Sequence, residues 1–482
     1  MTSVPTTADA VPARGPRCHC GATITHTPGK RPKVYCSPRC RMAAKRAIAR
    51  GAALPTTTAE ARPAEAKANR RLGTTGETTT RAGQSPVPAA GEAKADTTGT
   101  RSRDGRWTLR EGLQRVTADK GLKGCGRSAI AGGVGVVLNG QTAHLSGVAT
   151  CGKIHLCPVC SAKIRAARSE EIDTVTGAWQ AAGHGLAMMT LTLRHYRRMP
   201  LGTTRKRERG GLVGVQHDAW ITAFGARAGK MWQRLQTEHG IVGYVRVWEC
   251  TVGPDHGWHP HFHVLLFTSR PWTRDRADAF EAAARARWVR SVERAGGYRP
   301  NDRGVKVDVP RPEDAQQFSR YLFKNQDGKA RFEKWTPGAE LARADLKTGR
   351  RAARMPFEVA EGAAAGLADD VPLWHEYEYA AHGIRAAYWS NGLRALLAEL
   401  VELDDRTDEE IAAEEIGGDG VALIPAETWH SHVVRHRGRS LDLIRAAESG
   451  GVPAVRALVA EWGLVWGRDV LPAPDPDDDQ TA

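Results

Sequence analysis

The stretch Trp258–Phe267, WHPHFHVLLF, constrains the fold more than any other part of the chain. Successive side chains of a β-strand point to opposite faces, so in a strand His259, His261 and His263 share one face. The run follows Ile241–Val252, IVGYVRVWECTV, rich in β-branched and aromatic residues, and the turn-forming GPDHG joins the two. Two such runs about a short turn form an antiparallel hairpin. If it folds about Pro254–His256, Glu249 lies close to opposite His261, within a register slip of one or two residues. Imidazoles two residues apart on a rigid strand can hold one divalent cation, and the carboxylate completes an N,N,O set with positions left open. That set suits Mg²⁺ or Mn²⁺ in phosphoryl chemistry, and Zn²⁺ could also occupy it. The bland alternative, histidines that merely sit on a surface or in a core, is weakened by three in register beside a carboxylate.

Around the hairpin the periodicity predicts an α+β domain. Leu186–Arg194 reads as a strand, and His217–His239 as a helix with Trp220, Phe224, Met231 and Leu235 on one stripe. Arg274–Ala295 reads as a helix and Gly304–Val309 as a short strand. Pro312–Lys324, PEDAQQFSRYLFK, reads as a helix with Ala315, Phe318 and Leu322 in the core. Tyr321 and Lys324 fall one turn apart on an adjoining face. A phenol can attack a phosphodiester, and a nearby ammonium can stabilise the charge that develops. Taken alone, Y-x-x-K is as well explained by a half-buried aromatic with a polar tip.

Eight of the nine cysteines fall into two sets. Cys18, Cys20, Cys36 and Cys40 bracket a short basic segment, the pattern of a small structural zinc site in which His19 or His26 could replace one thiolate. Arg41, Lys45 and Arg46 follow, the pattern of a helix contacting phosphate. Cys125, Cys151, Cys157 and Cys160 form the second set around CGKIHLCPVC, with His155 the competitor of Cys125 for the fourth position. Cys250 is left over as a small core residue.

A net charge of +15 over 482 residues suits a polyanionic partner. No apolar run approaches the roughly 18 residues of a membrane span, and Met1–Ala10 lacks a signal-peptide pattern, so a cytoplasmic protein with reduced, metal-binding cysteines is expected. The expected organisation is a disordered tail over 1–16, a zinc-binding basic module over 17–50 and a flexible linker over 51–104. A cysteine-rich zinc segment over 105–180 leads into the helix Ser161–Trp179. The α+β domain around the histidine hairpin spans 181–335, a mainly helical C-terminal domain 336–466 and an acidic disordered tail 467–482. In the C-terminal third, Tyr388–Leu396 starts like a capped helix, and Trp374, Tyr377 and Tyr379 read as core packing rather than a base-stacking surface.

Three stretches in order, Met188–His195 (MMTLTLRH), His259–Leu266 (HPHFHVLL) and Tyr321–Lys324 (YLFK), resemble the three motifs of the HUH endonucleases, in particular actinomycete plasmid rolling-circle initiators. The resemblance covers roughly the middle third of the chain. It implies an antiparallel sheet with the metal hairpin at its centre and helices packed on it. It implies His261 and His263 as metal ligands, Glu249 as the third, and His259 as the extra histidine of the plasmid group. It also implies Tyr321 as the nucleophile, Lys324 as its helper and Met189–Leu193 as the strand that buttresses the site. Initiators of this kind often carry a cysteine-rich segment like the second set. One departure concerns release: Gln317 stands where some of these proteins have a water-activating glutamate, and Glu313 is about 12 Å of helix rise from Tyr321.

The implied activity is nicking of single-stranded or hairpin origin DNA to leave a 5′-phosphotyrosine link and a free 3′-hydroxyl. Mg²⁺ or Mn²⁺ would serve at the site and Zn²⁺ at the cysteines. A host helicase and polymerase would be partners, since no GxxxxGK[ST] loop is present. A relaxase or transposase shares the chemistry; a non-catalytic zinc DNA-binding regulator is the rival from another class.

Overall fold

The computed structural model describes residues 102–130, 132–202, 210–309 and 353–473, all within the unit Gly91–Ala482. Cys18, Cys20, Cys36, Cys40, Arg41, Lys45, Arg46, the 51–101 part of the linker, the segment predicted as a helix with Glu313, Gln317, Tyr321 and Lys324, and residues 474–482 lie outside the described residues.

The chain forms an α+β fold with two antiparallel sheets. The larger is built from β3 (Gly185–Thr192), β4 (Ile241–Gly253), β5 (Gly257–Thr268), β6 (Val305–Asp308) and β7 (Tyr388–Trp389). Their spatial order is β6-β3-β5-β4-β7, so the histidine strand is central. Its near-continuous burial is that of a strand covered on both faces. On one face Trp248 and Phe262 meet rings from two helices: Trp220 of α4 (Gly211–Ala223) stands edge-on to Phe262, and Tyr377 of α8 (Asp370–Ala380) stacks on Trp248. The opposite face carries His259, His261 and His263.

The smaller sheet, order β2-β1-β8, comprises β1 (Gly133–Asn139), β2 (Thr142–Ser146) and β8 (Asp419–Pro425). Its core includes Val134, Val136 and Ile424, packed with Trp429 and with Leu443 and Ile444 of α11 (Arg439–Glu461). That helix is kinked at Gly450 and Gly451. Gly451 has φ +57 and ψ −141, a region open essentially to glycine alone.

At the front, α1 (Arg103–Val116) and α2 (Lys120–Gly124) precede β1; α3 (Pro158–Ala181) connects the two sheets in sequence. Helices α5 (Gly229–His239) and α6 (Arg274–Arg294) flank the hairpin strands in sequence, α7 (Pro356–Ala364) precedes α8, and the short α9 (Leu393–Leu397) and α10 (Asp408–Ala412) precede β8.

Two expectations are corrected. The helix predicted over His217–His239 is two, α4 and α5, because Phe224 leaves helical geometry and Gly229 takes φ +68. The stripe loses phase across the break, so Met231 is 62% exposed and Trp232 takes the buried place. Tyr388 and Trp389 begin no helix: they pair with Arg246 and Val245 of β4, Ser390 exchanges two hydrogen bonds with the Tyr244 backbone, and helix α9 starts only after Gly392 at φ +83. The described part of the region after 336 is mainly helical, as expected, and it also supplies β8, which pairs with β1 from far earlier in the chain. Trp374 and Tyr377 are fully buried, as core packing requires.

Candidate metal centre

The hairpin turn is the three residues Pro254–His256, closed by the pair Gly253↔Gly257. Gly257 has φ +71, and a Cβ there would stand 2.6 Å from the Arg197 carbonyl oxygen, so both conformation and space call for glycine. This turn sets the register: Glu249 opposes His261, Thr251 opposes His259 and Val247 opposes His263.

In that register one carboxylate reaches both imidazoles. Glu249 Oε2 lies 3.3 Å from His261 Nε2 and 3.1 Å from His263 Nε2. The far nitrogens are held as well. His261 Nδ1 lies 3.2 Å from the His259 carbonyl, a neighbour that fixes the ring's orientation. His263 Nδ1 lies 3.3 Å from the hydroxyl of Thr190 on β3, and Thr192 opposes His261 two pairs further along. Burial opposes ionisation of Glu249, but the charges and hydrogen bonds of His261 and His263 outweigh it and hold the carboxyl well below its usual range. Two imidazole nitrogens and a carboxylate oxygen thus converge within 4.8 Å, a donor set that can hold a metal ion.

His259 stands beside this set rather than in it. Its Nδ1 lies 2.6 Å from Nε2 of His195, whose own Nδ1 lies 3.0 Å from the His256 carbonyl. Burial, then the neighbouring His261 and His195, push His259 down to about 3, so it is neutral at physiological pH. His195 closes the first motif-like stretch, and its position there was the only signal for it.

A second centre gathers Cys125, Cys151, Cys157 and Cys160. Cys125 follows α2, and Cys157 caps the N-terminus of α3, with Pro158 opening the helix. Three Sγ–Sγ separations of 3.7 Å link them. A tetrahedral site with Zn–S near 2.3 Å has sulfur–sulfur edges of about 3.8 Å, whereas a disulfide needs about 2 Å. The donors and their spacing therefore fit a four-thiolate zinc site. Hydrogen bonds from Cys151, Cys157 and Cys160, with the Arg110 cation beyond, pull Cys125 well below the usual thiol range, while burial pushes Cys157 up. His155 is excluded from the cluster: it is buried edge-on against Trp248, 5.3 Å between centroids. Cys250 is a buried core residue. Among the described residues no helix is long and apolar enough to cross a membrane.

An antiparallel sheet carrying a His-His-Glu donor set on its central hairpin, joined to a four-cysteine centre, defines an α+β protein built around two metal-capable sites. The chain is 32% identical over 361 residues to "Protein rep" of Streptomyces lividans, covering 64% of this chain and 77% of that one, and residues 142–297 match a family model described as replication protein. The chain belongs to this Rep family of replication proteins. It is also 26% identical over 115 residues to "Protein rep" of Lentilactobacillus hilgardii (22% of this chain, 36% of that one). A "Neomycin resistance protein" of Streptomyces cyanogenus is 31% identical over 147 residues, covering 27% and 33%. No solved structure matches.

Proposed function

We propose that the protein is a plasmid rolling-circle initiator that nicks single-stranded origin DNA by metal-dependent tyrosine transesterification. The observation that carries the reading is the placement of Glu249 within 3.3 Å of both His261 and His263 on the central hairpin of a Rep-family protein. A divalent cation held there, Mg²⁺ or Mn²⁺, would supply Lewis-acid polarisation of the scissile phosphate. His261 and His263 offer their Nε2 atoms because the His259 carbonyl and Thr190 orient the rings. His259 and His195 pack beside them.

Tyr321 is assigned as the nucleophile. Its phenol gives up a proton, its oxygen bonds to phosphorus, and the P–O3′ bond breaks as the leaving oxygen takes up a proton. A 5′-phosphotyrosine and a free 3′-hydroxyl result, the latter for a host polymerase working with a host helicase. Lys324 offsets the charge that gathers on the phosphate. Structural Zn²⁺ at the two cysteine sets, and phosphate contacts from Arg41, Lys45 and Arg46, complete the proposal, with the cytoplasm as its setting. Gln317 is a poor base, so release proceeds by strand transfer or with help from Glu313.

The full-length protein, incubated with Mn²⁺ and a 3′-end-labelled single-stranded origin oligonucleotide, should give a covalent adduct on a denaturing gel. Tyr321→Phe should give none, and His261→Ala far less. No adduct with the wild type, or as much with Tyr321→Phe, overturns the reading.

A further inference from the structure

We propose that Tyr196 and Tyr298 form a base-stacking platform for a single DNA strand running out from the metal centre. Tyr196 lies in the loop after β3 and Tyr298 in the segment before β6. A backbone bridge between Arg194 and Tyr298 fastens the two segments together. The rings meet edge to face, 5.0 Å between centroids at 89°, yet remain 45% and 54% exposed. Each ring is thus fixed by the other while much of its surface faces solvent, an arrangement that core packing does not explain.

The surroundings select the occupant. The Arg194 guanidinium lies 5.6 Å from the Tyr196 ring, and exposed Arg197 and Arg198 follow directly in the chain. Among the described residues no carboxylate pairs with these three arginines, whereas Arg299 is matched by Glu293 at 3.3 Å. Exposed aromatics beside exposed arginines fit unstacked bases on a phosphate backbone. A duplex keeps its bases stacked and offers such rings nothing but its ends.

The loop is also tied to the metal hairpin. His195 bonds to His259 and to the His256 carbonyl, and the Arg197 carbonyl packs against Gly257. A row of imidazoles, His263, His261, His259 and His195, runs at centroid spacings of 4.7, 5.3 and 4.7 Å, and Tyr196 follows His195 directly in the chain. Placing the strand along this row rests on the proposal that His261, His263 and Glu249 act on a phosphodiester.

The test compares binding of a fluorescent oligothymidylate with that of an abasic strand of equal length, by anisotropy, without added divalent cation. It uses full-length protein carrying Tyr321→Phe, so nicking chemistry does not enter and its failure in the gel assay stays separate. The platform predicts a preference of roughly tenfold for the base-bearing strand. Tyr196→Ala with Tyr298→Ala should bring the two strands to parity, while Tyr196→Phe with Tyr298→Phe keeps the preference. Arg197→Ala and Arg198→Ala should each lower the salt slope on both strands by about 0.7. No preference in the parent protein, a preference kept by the double alanine variant, or one lost by the phenylalanine variant overturns the platform.

Discussion

Glu249 and His261 face each other across the central hairpin, and the same Glu249 oxygen that lies 3.3 Å from His261 Nε2 lies 3.1 Å from His263 Nε2. One carboxylate thus serves two imidazoles, and its ionised form is favoured by both. Glu249→Gln keeps the shape and removes the charge. Loss of an outer partner of a metal ligand typically costs about 10–100-fold in affinity, and loss of this inner one should cost at least as much. Titrating Mn²⁺ into wild type and variant by calorimetry measures it; equal affinities would remove Glu249 from the donor set.

The four-sulfur centre predicts a stoichiometric change. Cys160→Ser should lower the zinc content of purified protein by one equivalent per chain. It should also destabilise the fold by on the order of several kcal/mol, since metal binding and folding are coupled in such modules. Cys250→Ser, a buried thiol outside the cluster, should leave zinc content unchanged. Elemental analysis of both variants decides the matter, and full zinc occupancy in Cys160→Ser would count against the centre.

The paired glycines that close the hairpin should respond unequally. Gly257 has φ +71 and no room for a Cβ; Gly253, directly opposite, has open space around its Cβ direction. Gly257→Ala should cost roughly 2–3 kcal/mol, from left-handed strain together with displacement of the Arg197 carbonyl. Gly253→Ala should stay within about 0.5 kcal/mol of wild type. Thermal unfolding of the two variants checks the contrast, and comparable losses would refute it.

This hairpin was the most legible part of the chain, for a local reason. Side-chain alternation puts the three histidines on one face, and a short turn leaves few registers for Glu249. The choice of Cys125 over His155 depended on where α2 ends relative to α3, which spacing alone does not specify. Strands β7 and β8 escaped notice because their pairing partners, β4 and β1, are remote in sequence, and two residues such as Tyr388 and Trp389 carry no periodicity. The break between α4 and α5 was hidden because apolar residues continue through it and only Gly225 and Gly229 mark the turn. Thr190 and His195 sit in the first motif-like stretch, where nothing distinguishes a residue that orients an imidazole from one that only completes a strand.

A last prediction concerns pH and the closure of the smaller sheet. Glu448 on α11 accepts hydrogen bonds from Arg103 of α1, with Nη2 to Oε2 at 2.8 Å, and from the Ala143 backbone of β2 at 2.8 Å. The Arg103 hydrogen bond, against some opposing burial, holds the carboxyl below its usual range. A carboxylate whose folded pKa is depressed contributes stability that is fully present above its unfolded value, about 4.3, and is lost as pH falls through the folded one. Glu448→Gln should therefore lower stability by about 1 kcal/mol at pH 7, since the pair is only partly buried. The gap to wild type should narrow below about pH 4, as the wild-type carboxyl takes up its proton and the two proteins become alike at this position. Chemical denaturation at neutral and acid pH measures both gaps; a difference that persists unchanged into acid would assign the loss to packing and not to the charge on Glu448.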